Sequence, residues 1–139
     1  MIHKATQEIY DALKAQGLKA FIEENGELST VYAGFSMENG APIQIRFIST
    51  DEDNDVAVRV TELMRVEAER VKTILPVLNR INNKYRYVKF ILDGDNDIGV
   101  QYDLPLAGDH LGACAVEMIA RFVKIIREAY PELMRTIWQ

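Results

Sequence analysis

The chain has little of the chemistry that enzymes and secreted proteins use: one cysteine and two histidines among 139 residues. One cysteine cannot form an internal disulfide, and a lone thiol is typical of a reducing compartment, so we expect a cytoplasmic protein. No uncharged run approaches the roughly 20 apolar residues that cross a membrane. The first residues turn polar after Ile2. The sequence therefore predicts neither a transmembrane helix nor a signal peptide.

A phosphate-binding loop is also missing, because the glycines do not follow either nucleotide-binding spacing. His110 and Cys114 lie four residues apart near the start of the last predicted helix, where such a pair could hold a thiolate. No third group supports a catalytic triad, and we interpret Cys114 as a small apolar residue in the buried stripe of that helix. The sequence thus predicts a protein that is not an enzyme and has no catalytic residue, cofactor or metal site.

Charge of one sign is only slightly in excess, with 21 acidic and 16 basic side chains and a net charge of −5. This balance argues against a dedicated nucleic-acid binder, which carries a basic footprint. Much of the acidity lies in two runs, 51–55 and 93–97, which resemble the start of a calcium loop. Both runs lack the glycine that an EF-hand loop needs at position 6, and strand patterns rather than helices flank them. The first run has Glu62 at position 12, where the loop needs a glutamate, but the second has Leu104. We interpret them as exposed β-turns in which Asp and Asn bond their own backbone, and divalent-cation binding there stays open.

Apolar periodicity predicts the element order α-ββββ-α-ββ-α. Residues 3–16 have helical spacing, and Gly17 ends that helix. The second helix, over 71–81, contains Pro76, and the long last helix, 109–136, has Asp109 as its N-cap. The predicted strands cover residues 19–23, 30–37, 43–47, 56–61, 87–92 and 98–104.

The first four strands form an antiparallel meander, with Asn-Gly pairs at 25–26 and 39–40 that favour type I′ hairpin turns. Each strand has one apolar face. The helices must therefore cover one face of an antiparallel sheet, which is an α+β architecture. The whole chain, 1–139, is predicted to be one domain.

The polar face of this sheet is the candidate protein-binding surface. Its predicted members, which point away from the helices, are Tyr32, Gln44, Arg46, Arg59 and Tyr87. Ile48 and Ile91 join them. A sheet face that is partly aromatic and apolar often meets another protein or a second copy of itself, so we expect a protein partner and a homodimer.

A basic and aromatic cluster over residues 80–89 offers a less favoured alternative. Bases stack on Tyr rings while Lys and Arg meet phosphates, which is the pattern of nucleic-acid binding. The predicted element order differs from that of the common RNA-binding sheet, and its aromatic motif is missing. The cluster is more simply an exposed helix end and strand face.

Three stretches of sequence carry a resemblance to a known family. They are LPVLNRIN at 75–82, the aromatic-rich strand at 85–92, and YDLPLAG at 102–108 before a long helix. These resemble the YbjN family, bacterial proteins described as sensory transduction regulators with a type III secretion chaperone-like fold. The resemblance implies a chaperone-like or regulatory protein that acts through protein contacts, and it implies no catalytic set. The alternative is a type III secretion chaperone, which binds an extended effector segment by strand addition.

Overall fold

The computed structural model describes residues 1–37, 42–50, 55–107 and 109–138. Over these residues the predicted order α-ββββ-α-ββ-α is confirmed. The turn at 39–40 and residues 51–54 of the first acidic run lie outside the described residues. The elements are α1 (Lys4–Ala15), β1 (Phe21–Asn25), β2 (Leu28–Phe35), β3 (Ile43–Ser49), β4 (Asp55–Arg65), α2 (Val71–Lys84), β5 (Lys89–Leu92), β6 (Asp97–Pro105) and α3 (Leu111–Trp138); a 3₁₀ turn, Ala68–Arg70, leads into α2.

The described strands form one antiparallel sheet in the order β1-β2-β3-β4-β6-β5. The predicted meander of the first four strands is confirmed. The turn between β1 and β2 differs in type from the prediction, because Asn25 pairs with Leu28 and the loop residues are Gly26 and Glu27. Only Gly26 has a positive φ, of 63°. A type I′ turn needs two such residues, so this turn follows the II′ pattern.

The core lies between the three helices and one face of the sheet. Strand alternation places Val31, Phe47 and Val58 in register on this face, and all three are buried. The buried stripe of α3 includes Phe122 and Ile126, which belong to the same core cluster and are fully buried. Burying each such side chain contributes about 1.5–3 kcal/mol to stability.

Helices α1 and α3 approach each other closely at Gly112. A Cβ atom added there would lie 2.8 Å from the Cβ of Ala12, a distance that real Cβ atoms do not adopt. Glycine at this position therefore sets the separation between the two helices, since the Ala12 methyl group occupies the space that a side chain at position 112 would need.

A buried hydroxyl cluster fastens α1 to the sheet. The Thr6 Oγ1 lies 2.6 Å from the Oγ atoms of both Ser29 and Ser49. The backbone N–H of His3 donates to the Ser29 Oγ at 3.1 Å. Buried polar groups are tolerated when they are hydrogen-bonded in this way. The cluster thus fixes the start of α1 against β2 and β3.

Strand β4 is longer than predicted because it contains an irregularity. Val60 pairs with Val100, and the next pair is Met64 with Ile98. Between these two pairs, β4 advances by four residues and β6 by two. Glu62, within this segment, has a φ of 54°. Because the excess is an even number of residues, Met64 returns to the core face and is buried.

The two edges of the sheet differ. On the outer side of β5, the side-chain amide of Asn82 donates to the Phe90 carbonyl at 2.9 Å and accepts from the Phe90 N–H at 2.7 Å. Helix α2 therefore closes this edge. At the opposite edge, β1 is the last strand of the described sheet and pairs with β2 on one side, so β1 is the open edge.

Candidate protein-binding face

One row of paired residues crosses every described strand on the side away from the helices. The row runs Phe21, Tyr32, Arg46, Arg59, Gln101 and Lys89. Gln44 pairs with Gly34 on the same side. We call this side the open face. Of the predicted surface residues, Tyr32, Gln44, Arg46 and Arg59 lie on it together, as the alternation indicated. Ile48 and Ile91 lie on it too, both half-buried.

Aromatic and basic side chains on the open face hold one another in place. The rings of Phe21 and Tyr32 stack with centroids 5.4 Å apart. The Arg46 guanidinium lies 5.0 Å from the centre of the Tyr32 ring and pairs with Glu23 at 3.1 Å. Phe21 stays 53% exposed. This end of the face therefore presents an apolar surface beside an oriented cation.

Arg59, in the middle of the row, is more firmly held. Its guanidinium pairs with Asp103 at 2.8 Å and donates to the carbonyl oxygens of Val58 and Tyr102, both at 2.9 Å. Both arginines are thus positioned by neighbours within the sheet, which lowers the side-chain entropy that binding would cost.

The prediction that Tyr87 belongs to this face is wrong. Tyr87 lies before β5 and has a φ of 72°, which interrupts the alternation of the strand. Its ring packs edge-on against Tyr102, a residue on the helix-covered face, and the Arg121 guanidinium of α3 lies 4.6 Å from its centre. Tyr87 is therefore part of the contact between the end of the sheet and α3. Phe21 takes a place on the open face that the sequence reasoning missed, although its position in an alternating strand was a usable signal.

The interpretation of Cys114 as a buried residue is also wrong. Cys114 and His110 are both exposed. The buried stripe of α3 passes through Leu111 and Ala115, and Cys114 lies at the edge of it. Helix α3 begins at Leu111, so Asp109 lies outside the helix, and His110 precedes it and accepts the first helical bond, from the Cys114 N–H at 2.9 Å.

The second acidic run forms the self-bonded turn expected for it. The Asp93 carboxylate accepts the N–H groups of Asp95 at 2.8 Å and Asp97 at 3.0 Å. Asn96 has a φ of 62°, which Asn tolerates in turns. Among the residues that the structure describes, no three His, Cys, Asp or Glu side chains are grouped so as to hold a metal ion.

The basic and aromatic cluster at 80–89 is divided between two sides of the molecule, with Lys84, Tyr85 and Arg86 beside α3. Arg80 pairs with Glu132 at 2.6 Å, and the Tyr85 hydroxyl donates to Glu128 at 3.0 Å. Burial, together with that hydrogen bond, raises the pKa of Tyr85 above its ordinary value. Lys89 lies in the row on the open face. The basic side chains of the less favoured nucleic-acid alternative are thus divided between the α3 side and the open face.

Comparisons with known proteins identify the family. The model of the YbjN family, described as "Putative bacterial sensory transduction regulator", matches residues 6–135. Neither a curated protein nor a solved structure matches the chain. Within the described ranges, no helix combines the length and the apolar character that crossing a membrane requires. Since the family match covers nearly the whole chain, the protein belongs to the YbjN family.

Proposed function

We propose that this chain is a non-enzymatic, cytoplasmic protein-binding module with a chaperone-like or regulatory role, and that it holds its partner on the open face of the sheet. The observation that supports this proposal is the continuous row from Phe21 to Lys89. It combines an exposed aromatic end with arginines that are already oriented. Aromatic residues and arginine are the side chains most often responsible for binding energy at protein interfaces.

Site-specific photocrosslinking tests the proposal. A photoreactive benzoylphenylalanine at position 21 reports on the open face, and the same residue at position 75 is the matched control. Leu75 is 48% exposed, close to Phe21 at 53%, but lies on α2. We expect a defined protein adduct from position 21 in host cells and none from position 75. Equal adducts from both positions, or none from position 21, would contradict the proposal.

A second experiment asks whether the occupant is another copy of the chain, as the expected homodimer requires. Sedimentation velocity compares the wild type with Phe21→Ser and Leu75→Ser. We expect a dimer that dissociates only in Phe21→Ser, because only that change removes apolar surface from the open face. A dimer unaffected by Phe21→Ser would place self-association elsewhere, and a monomeric wild type would remove the homodimer.

The alternative function, binding of an extended segment as in a type III secretion chaperone, has one observation in its favour. Strand β1 is an open edge, whereas Asn82 closes the edge at β5. An added strand would bond the main chain of β1, so backbone amides within Phe21–Asn25 would exchange more slowly with solvent when the partner binds. If the partner binds to side chains of the open face and the exchange of the β1 amides does not change, strand addition would be excluded.

A further inference from the structure

A cleft lies on the helix side of the molecule, between the end of α2 and the middle of α3. Its volume is about 600 Å³. One wall is formed by the segment Lys84 to Arg86, and the other by α3, which contributes the apolar side chains of Ala120 and Ile125 to the lining. A cleft of this size is in the range that accommodates small organic ligands.

The walls of the cleft are fixed in position by contacts between the segment after α2 and α3. The Tyr85 hydroxyl bonds Glu128, and Arg121 lies over the Tyr87 ring. The positive φ of Tyr87 turns the chain at this point. A tyrosine in that conformation is costly and persists only where surrounding contacts hold it. These contacts therefore hold the two walls of the cleft in a defined position.

The cleft is lined by more cations than carboxylates. Both of its carboxylates are engaged, Glu117 with Arg121 at 3.0 Å and Glu128 with Tyr85. By contrast, Arg86 and Lys124 have no ion-pair or hydrogen-bond partner for their side chains within the described residues. The Lys84 ammonium contacts the Tyr85 ring at 5.3 Å and pairs with no described carboxylate. Three cations around the cleft therefore have no carboxylate partner among the described residues.

We propose that this cleft binds a small organic phosphate. Several cations that line one cleft suit a multiply charged anion, and arginine suits the geometry of a phosphate group. The apolar side chains of Ala120 and Ile125 and the ring of Tyr85 suit the organic part of the ligand. The site is separate from the open face, so a ligand here would add a small-molecule input to a protein-binding module.

Two-dimensional NMR titration of the full chain tests the proposal. The probes are pyrophosphate, adenosine diphosphate, adenosine and a triglutamate peptide. We expect adenosine diphosphate to shift the amide signals of Ala120, Lys124 and Arg86, pyrophosphate to shift them more weakly, and adenosine alone to leave them unchanged. Shifts from triglutamate equal to those from adenosine diphosphate would overturn the phosphate assignment. No shift in the cleft with either phosphate probe would overturn the site.

Charge-neutralising variants separate the cleft from general attraction to a cation-bearing surface. The pair Arg86→Gln with Lys124→Gln removes two cleft cations, and the pair Lys19→Gln with Lys72→Gln removes two exposed cations elsewhere. We expect the first pair to weaken adenosine diphosphate binding by at least about tenfold and the second to leave it unchanged. Circular dichroism confirms that both variants are folded. An equal loss in both variants would reduce the binding to non-specific charge attraction and overturn the proposal.

Discussion

Replacing Asn82 with alanine tests whether one side chain closes the edge of the sheet. The change removes two hydrogen bonds to the main chain of Phe90, at 2.9 and 2.7 Å, each with a net value of about 1 kcal/mol. Asn79→Ala is the matched control, because Asn79 lies one turn earlier on the same helix and is exposed. Alanine raises helix propensity by a similar amount at both positions. The difference between the two variants therefore isolates the edge contact, at about 2 kcal/mol.

Thermal unfolding and amide exchange measure this effect. For a chain of this length, about 2 kcal/mol corresponds to a difference of about 7 °C in Tm. We also expect the Phe90 amide to exchange much faster with solvent in Asn82→Ala, because its acceptor is removed. Equal Tm values for the two variants, with an unchanged Phe90 exchange rate, would refute the edge role of Asn82.

Three further predictions concern packing, buried polarity and pH. Gly112→Ala should cost about 1–3 kcal/mol in urea unfolding because its Cβ meets Ala12, and adding Ala12→Gly should restore most of that loss. Thr6→Val should cost about 1–3 kcal/mol, since two buried serine hydroxyls each lose a short hydrogen bond; an unchanged urea midpoint would contradict this. The pKa of Tyr85 is raised in the folded state by burial and Glu128, so the unfolded chain loses this proton first as pH rises. The free energy of unfolding should therefore fall above about pH 10, and Tyr85→Phe should lack that component.

Strand alternation predicted the fold well because the core face of each strand is almost purely apolar. Val31, Ile45 and Val58 each lie on the predicted face and are buried. The same alternation correctly grouped Tyr32 with Arg46 on the open face. Where a strand is regular, the two-residue period alone suffices to assign each side chain to a face, since successive side chains must point to opposite sides.

The wrong predictions arise where the backbone departs from that regularity or where tertiary packing decides which side chains are buried. Tyr87 was misplaced because its positive φ is uncommon for an aromatic residue and leaves no mark in the apolar pattern. Cys114 was misplaced because the composition of a helix face does not fix how wide its buried stripe is. The edge role of Asn82 depends on Phe90, eight residues away across a turn, and an asparagine at a helix end looks the same whether it bonds water or a strand.

The difference between the two sheet edges limits how copies of this protein can assemble. Molecules with two open edges can add to one another without end, which produces fibres. Here Asn82 closes one edge, and β1 is the remaining described edge that could accept a strand. If β1 pairs with β1 of a second copy, both outer edges of the joined sheet are closed, and growth stops at two molecules. One amide side chain would thus set the upper size of any assembly built by strand pairing.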